Sequence, residues 1–287
     1  MKEKIKYRRA KSKGVFILVC LFSALTAVPL FAIIGKVVIN GIGGISLDFF
    51  TEIAPNTYDA MLAKQSGLRL PGGIANGITG TLYMVFIASV VAIPLGILAG
   101  VFIAEERRSW LANAIRFVTE LIQGTPSIIV GVIVYAWVVV PFKSYSALAG
   151  SIALAIMMLP LIVRSTEETL KMLPISLKEA GLALGATYPS VVMKVLLPSA
   201  FRGIFTGSLL ALSRVIGETA PLMVTALGSS MINWDATSPT SAVSLLIWEF
   251  YNDPNLVSLI WSSSLFLLVL VLTLNLTAKY ILGDFKN

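Results

Sequence analysis

KEAGLALG at residues 178–185, followed by VLLP at 195–198, marks the stretch that decides the fold. Both pieces lie in a polar, charged segment, 164–202, that separates two long apolar runs. A chain that keeps one sizeable, helix-forming segment between apolar runs usually presents that segment to another molecule. We therefore predict that this segment contacts a partner and that the chain is one part of a larger assembly.

The local signals in this segment predict two short helices joined by a tight turn. Pro174 can open the first helix, which runs to Leu184, because proline is well placed at the start of a helix. Gly185 is placed to end that helix in a left-handed turn, which glycine adopts without steric cost. Thr187 can cap the next helix, with Pro189 in its first turn. The two helices would form a compact projection.

The composition is that of a membrane protein. Hydrophobic residues make up 56% of the 287 residues, charged residues make up 13%, and the mean hydropathy is +0.86. The apolar residues are gathered into runs of about 18 or more, and about 20 helical residues cross the hydrocarbon core of a bilayer. We predict an all-α membrane protein with six transmembrane helices, at 15–39, 74–104, 116–140, 147–163, 203–227 and 257–282.

The residue types that the sequence lacks exclude several kinds of chemistry. The chain has no histidine and one cysteine, Cys20, which lies inside the first apolar run. This excludes histidine-based triads and proton relays, metal clusters of cysteine and histidine, and an intrachain disulfide. The sequence also has no G-x-x-x-x-G-K-S/T phosphate-binding loop, which excludes ATP hydrolysis by that route. We expect conduction rather than catalysis, with no cofactor or metal bound by this chain.

The basic residues are distributed unevenly between the two sides of the predicted helices. Of the 22 lysines and arginines, seven lie within the first 13 residues. The six spans place 17 basic residues on the side of the N-terminus and four on the other, with Arg214 inside a span. Because positive charge accumulates on the cytoplasmic side, both termini and the 164–202 segment are predicted to be cytoplasmic. We interpret the basic tail, 1–14, as an anchor at anionic lipid headgroups and not as a nucleic-acid site.

The rest of the chain divides into three parts. The first apolar run, 15–39, is longer than the core of a typical signal peptide, so we expect a retained transmembrane anchor. The loop 40–73 follows on the extracytoplasmic side, and its sequence fits either a tether or a ledge on which an extracytoplasmic partner docks. Residues 74–283 form the remaining transmembrane domain.

An arginine and a glutamate lie inside the predicted fifth span. Arg214 follows Arg202 by 12 residues, which at about 1.5 Å per residue places it about 18 Å into the membrane. Glu218 lies four residues further on, one helical turn outward. An arginine at this depth costs at least about 2.5 kcal/mol to insert and has to face a partner or a wet cavity. The pair can orient the helix as a neutralised ion pair, or its guanidinium can offer forked donors to a passing oxyanion such as phosphate.

A second charged pair is predicted near the cytoplasmic end of the third span. Glu120 lies four residues after Arg116, a spacing that favours an ion pair on one helical face. We expect this pair at the surface and do not assign it to the substrate path.

The pattern of the polar segment resembles that of a known family. It reads EAG-x3-G-x9-V-x-LP over 179–198. This resembles the EAA-x3-G-x9-I-x-LP signature of bacterial ABC importer permeases, with Gly181 in place of the second alanine and Val195 in place of isoleucine. The resemblance implies a type I ABC importer permease fold, in which the hairpin 174–198 is a coupling helix seated on an ATP-binding subunit. The positions that would carry this coupling are Glu179, Ala180, Gly181 and Gly185.

Further blocks of sequence narrow the resemblance. They read PGGIAN at 71–76, GTPSIIVG at 124–131, RSTEE at 164–168 and RVIGETAPL at 214–222. Together they resemble the phosphate importer permeases of the PstA type, from about residue 71 to the C-terminus. The resemblance implies a multi-pass subunit of the bacterial plasma (inner) membrane that forms a heterodimer with a related C-type permease. Two ATP-binding subunits, which would use the ATP, and an extracytoplasmic phosphate-binding protein would complete the assembly.

We assign Arg214, Glu218 and Thr219 to the substrate pathway. The leading hypothesis is half of the membrane pathway of an ATP-driven phosphate importer that works by alternating access. A permease of the same architecture for sulfate or molybdate is one alternative. An autonomous channel or secondary carrier, which would conduct without an ATPase, is the other, although the sequence shows no internal repeat of the kind many carriers have.

Overall fold

The computed structural model describes residues 2–68, 70–106 and 108–283, which form helices and their connections. The predicted charge distribution also includes parts of the chain outside this description, namely the side chains of 2–10 and the residues Arg69, Arg107 and Lys286.

The helices of the described residues are numbered in chain order. They are α1 (Lys2–Gly41), α2 (Leu47–Thr51), α3 (Thr57–Gln65), α4 (Ala75–Glu105), α5 (Trp110–Gly124), α6 (Ser127–Phe142), α7 (Ala147–Met172), α8 (Ile175–Ala183), α9 (Tyr188–Ile216), α10 (Ala220–Met223), α11 (Val243–Tyr251) and α12 (Val257–Gly283). Two of them, α6 and α9, each contain a π-helical turn, at Tyr135–Val139 and Val192–Leu196.

The helices account for the predicted number of spans. Within the described ranges, 5 helices (α1, α4, α7, α9 and α12) are long and apolar enough to cross a membrane on their own, and α5 with α6 can form a sixth span. The prediction of an all-α membrane protein with six spans is confirmed in this form.

The third predicted span, 116–140, is not one continuous helix. Helices α5 and α6 are bent by 109° at the break between Gly124 and Ser127. Thr125 at this break is extended, with φ −85° and ψ 133°, because Pro126 disfavours the helical conformation for the residue before it. The prediction was wrong on this point.

The fifth predicted span, 203–227, differs from the structure at both ends. Helix α9 begins at Tyr188, so the second arm of the hairpin and the span are one helix. The helix ends at Ile216 because a further turn would bring the ring of Pro221 against the carbonyl oxygen of residue 217. Glu218 therefore lies in a break just beyond the helix, and not one regular turn further along it.

Helices α4 and α7 approach each other at two glycines. A Cβ atom on Gly96 would lie 2.7 Å from Cγ2 of Ile162, and a Cβ atom on Gly100 would lie 2.5 Å from Cβ of Thr166 and 2.9 Å from the backbone oxygen of Val163. Real Cβ atoms do not tolerate such distances, and protein interiors have few voids into which a neighbour could move. The two helices therefore pack as one unit.

Replacing Gly100 by alanine should destabilise the protein. The new methyl group would push on the backbone of α7, and such overpacking typically costs about 1–3 kcal/mol. The matched control is Gly35→Ala in α1, where a Cβ atom meets nothing within 4 Å and the helix gains about 0.5–1 kcal/mol from the substitution. Thermal unfolding of both variants in detergent tests this, and equal midpoints would show that α4 and α7 separate without cost.

The loop 40–73 is folded against the end of the bundle opposite the hairpin. The side chains of Phe49 and Phe250 are each 1% exposed and belong to one apolar cluster that joins α2 to α11. Asn76 of α4 connects the loop to the segment between α10 and α11, because its Oδ1 accepts from the backbone N–H of Ala54 at 3.1 Å and its Nδ2 donates to the carbonyl of Ser229 at 2.8 Å. The loop is thus more than a tether, while its role as a docking ledge stays a prediction.

The predicted pair of Arg116 and Glu120 does not form. Arg116 Nε instead donates to Oε1 of Glu167 in α7 at 3.0 Å, and Lys171 Nζ lies 2.6 Å from the same oxygen. Glu120 lies 3.7 Å from Arg164, also in α7. Arg116 pairs with Glu167 because Glu167 is 3% exposed, and a buried carboxylate needs charged partners more than an exposed one does.

Candidate functional site

The hairpin of α8 and the start of α9 has the predicted local structure. Pro174 caps the start of α8, and Gly185 ends that helix with φ +80°. The turn is closed by two backbone hydrogen bonds, from Gly185 N–H to the Leu182 carbonyl at 2.9 Å and from Ala186 N–H to the Gly181 carbonyl at 3.3 Å. This is the Schellman arrangement that a left-handed glycine permits.

The second arm of the hairpin also begins as predicted, with one difference. Thr187 precedes α9 in an extended conformation and Pro189 lies in the first turn. The Thr187 side chain, however, accepts no capping hydrogen bond. Proline, with its fixed φ, contributes more to this start than the threonine hydroxyl does.

The four predicted coupling residues lie together on the hairpin but take different positions. Glu179 and Ala180 are exposed on its outer surface. Gly181 faces the second arm, where an added Cβ atom would lie 3.0 Å from Cγ2 of Val191. Gly185 forms the turn. Two of the residues thus present the surface, and the other two give the hairpin its shape.

The hairpin also exposes apolar side chains that the sequence analysis did not single out. Leu184 is 89% exposed at the tip and Leu182 is exposed just before it, while Ile175 and Met172 are exposed at the other end of α8. Exposed apolar side chains on an otherwise polar projection are typical of a protein docking site. In the sequence, this exposed apolar tip corresponds to Leu182 and Leu184, which lie just before the predicted turn at Gly185.

A charged cluster connects the hairpin to α4. The carboxylate of Glu105, the last residue of α4, accepts hydrogen bonds from Lys178 Nζ in α8 and from Tyr188 Oη at the start of α9. Lys178 Nζ also lies 4.8 Å from the centroid of the Tyr188 ring. Sequence reasoning missed this cluster, because Glu105 lies 73 residues before Lys178 and nothing local indicates the contact.

The pair of Arg214 and Glu218 lies at the end of α9. Arg214 Nε is 3.7 Å from Glu218 Oε1, and the two side chains are 47% and 20% exposed. Among the described residues, Glu218 is the ion-pair partner of Arg214. The separation is longer than a hydrogen bond, so the guanidinium is held loosely and much of it is open.

The break beyond α9 is fixed by contacts on its other side. Thr219 is half-buried at the start of α10, and its side chain makes no capping hydrogen bond. The buried hydroxyl of Ser244 in α11 donates to the backbone carbonyl of Glu218 at 2.8 Å. Arg214 and Glu218 therefore lie close together, Thr219 follows Glu218 in the chain, and α11 anchors the backbone at Glu218. The place of the three residues in the substrate pathway stays a prediction.

An apolar groove on the membrane helices is a poor candidate for an anion site. It has a volume of about 740 Å³ and lies between α4 and α9. Its lining is apolar apart from Ser208, with Phe201 and Phe205 among its walls. An oxyanion needs charged or hydrogen-bonding partners when it leaves water, and the open guanidinium of Arg214 provides them where this groove does not.

The fold and the hairpin are those of a subunit that works in the membrane with separate partners. Residues 92–283 match the family model described as the binding-protein-dependent transport system inner membrane component. The prediction of a multi-pass protein of the bacterial plasma (inner) membrane is thereby confirmed.

Curated relatives identify the group within this class. The chain is 36% identical over 289 residues to the phosphate transport system permease protein PstA of Yersinia pestis, covering 100% of this chain and 95% of that protein. It is 33% identical over 280 residues to the probable phosphate transport system permease protein PstA of Methanocaldococcus jannaschii, covering 96% of this chain and 95% of that protein. The chain therefore belongs to the PstA family of permease proteins, as the resemblance predicted.

Solved structures support the fold alone. One chain of the MetNI methionine ABC transporter, in an inward-facing conformation, superposes with a TM-score of 0.57 and 24% identity over 71% of this chain and 92% of that chain. A second crystal form of that transporter gives a TM-score of 0.58 at 22% identity over the same shares. The predicted ABC importer permease fold is confirmed by this likeness.

Proposed function

We propose that this chain is a membrane subunit of an ATP-driven importer of inorganic phosphate and forms half of its translocation pathway. The observation that carries the proposal is Arg214, a half-exposed guanidinium at the end of a membrane helix, held loosely by Glu218. The names of the PstA relatives supply the substrate.

The chemistry of the pair suits phosphate. Arginine keeps its charge at every physiological pH, and its planar fork matches two oxygens of an oxyanion. Phosphate carries more than one negative charge near neutral pH and can compete with one carboxylate for the guanidinium. An entering anion would therefore replace Glu218 as the partner of Arg214, and Glu218 would take the guanidinium back when the anion leaves. Thr219 offers a hydroxyl beside the same position.

The exposure of Arg214 also supports the proposed partners. A guanidinium at membrane depth cannot face lipid tails without a large cost, so a second subunit has to cover this side of α9 and enclose water. We assign that place to a related C-type permease, which makes the pathway a heterodimer. An extracytoplasmic phosphate-binding protein would deliver the anion.

The hairpin supports a separate source of energy. Its exposed apolar tip around Leu184 and its exposed residues Glu179 and Ala180 would seat in an ATP-binding subunit, and two such subunits would hydrolyse the ATP. In this proposal the hairpin and both termini are cytoplasmic, and this chain binds no cofactor of its own. Closure of the ATP-binding subunits would then rock the helices between two arrangements.

Uptake by the reconstituted complex tests the proposal. Proteoliposomes that contain this chain, the partner permease and the ATP-binding subunits should accumulate inorganic phosphate only with ATP and the binding protein. Sulfate and molybdate in excess should leave the rate unchanged. Competition by either anion would favour a permease for another oxyanion, and phosphate flux through this chain alone would overturn the proposal in favour of a channel or carrier.

A further inference from the structure

We infer that Glu105 is a positioning residue that makes α4 move with the hairpin, so that the force of ATP hydrolysis reaches this helix. The inference rests on the proposed function, since it concerns how an ATP-driven permease transmits motion. The three residues of this contact, Glu105, Lys178 and Tyr188, are called the carboxylate tie below.

The carboxylate tie joins three helices at one point. Lys178 projects from α8, Tyr188 is the first residue of α9, and both donate to the carboxylate at the end of α4. The Glu105 side chain is 15% exposed and that of Lys178 is 33% exposed. Hydrogen bonds that involve a charged group are strong and directional when they are partly shielded from water, so the tie fixes the position of the hairpin relative to α4.

The covalent chain does not provide this connection. The first arm of the hairpin follows α7 directly and the second arm continues as α9, whereas α4 is linked to neither arm through a short connection. An apolar cluster that includes Ala104, Val191 and Val192 also holds the end of α4 near the hairpin. Apolar contact is non-directional and would let the surfaces slide, and the tie prevents that.

A movement of α4 would reach the rest of the bundle. Gly96 and Gly100 hold α4 against Ile162 and Thr166 of α7 so closely that the two helices shift together. Displacement of the hairpin by an ATP-binding subunit would therefore act on this unit at two points, on α7 through the chain and on α4 through the carboxylate. The second point keeps the hairpin from pivoting about its single covalent connection to α7. Both helices would then tilt as one unit.

The test compares transport with ATP hydrolysis in the full complex. Glu105→Gln removes the charge and Tyr188→Phe removes one donor while keeping the ring. Each should still assemble with the ATP-binding subunits and hydrolyse ATP. The phosphate transported per ATP should fall by about ten-fold in Glu105→Gln, the scale set by one charge-assisted hydrogen bond, and less in Tyr188→Phe. The matched control is Glu168→Gln, which changes an exposed carboxylate of α7 and should leave the ratio unchanged.

Exchanging the charges of Glu105 and Lys178 distinguishes a positioning role of Glu105 from a contribution to stability alone. The double variant Glu105→Lys with Lys178→Glu restores an ion pair between the same helices and should recover much of the ratio that Glu105→Lys alone loses. A wild-type ratio in both Glu105→Gln and Tyr188→Phe would overturn the inference, and so would a loss of assembly in Tyr188→Phe with an unchanged ratio in the complexes that remain. Failure of the wild-type complex to take up phosphate would instead count against the proposed function.

Discussion

Replacing Arg214 by glutamine is expected to remove most of the phosphate uptake while the complex stays assembled. Glutamine keeps a donor but is shorter than arginine and loses the charge and the fork. Hydrogen bonds to charged groups contribute about 1.5–3 kcal/mol each, which corresponds to a fall of about 10- to 150-fold in the uptake rate. Initial rates of phosphate uptake, together with co-purification of the partner subunits, measure both parts of this expectation.

The change at Glu218 decides between the two interpretations of the pair. If the pair only neutralises charge, Glu218→Gln leaves Arg214 uncompensated, and the double variant with Arg214→Gln should recover assembly and uptake. If Arg214 contacts the anion, the double variant should assemble but remain inactive. Glu218→Gln alone should then retain uptake, with altered release of the anion. Wild-type uptake in Arg214→Gln, or in the double variant, would return the arginine to a structural role.

The hairpin was predictable almost residue by residue because its signals are local. Pro174, Gly185 and Pro189 each restrict their own backbone, and the structure follows them. The pair of Arg214 and Glu218 was also predictable, since a spacing of four brings the side chains together even though the helix ends between them.

Contacts between distant parts of the chain were not predictable in this way. The bundle pairs Arg116 with Glu167 and not with Glu120, because the buried carboxylate on α7 is the stronger competitor. The carboxylate tie depends on where α4 ends relative to the hairpin, which hydropathy does not report. The breaks between α5 and α6 and between α9 and α10 lie next to Pro126 and Pro221. Hydropathy alone does not tell whether a proline in an apolar run bends a helix or ends it.

Replacing Gly185 by valine should separate ATP hydrolysis from transport or release the ATP-binding subunits. Gly185 has φ +80° and an added Cβ atom would meet nothing within 4 Å, so the effect comes from the backbone alone. A residue with a side chain costs about 1–2 kcal/mol in this conformation, and a β-branched one is a strong outlier there. The turn should open and the hydrogen bond from Ala186 to Gly181 should be lost, which displaces the exposed tip at Leu184.

Gly67→Val is the matched control, because it imposes a similar backbone strain at a position far from the hairpin. Gly67 has φ +65°, an added Cβ atom there also meets nothing within 4 Å, and the residue lies just after α3 at the opposite end of the bundle. Co-purification of the ATP-binding subunits should fall in Gly185→Val and stay normal in Gly67→Val. If Gly185→Val keeps both the subunits and the phosphate transported per ATP, the hairpin is not the docking element, and the energy for transport has to enter the chain elsewhere.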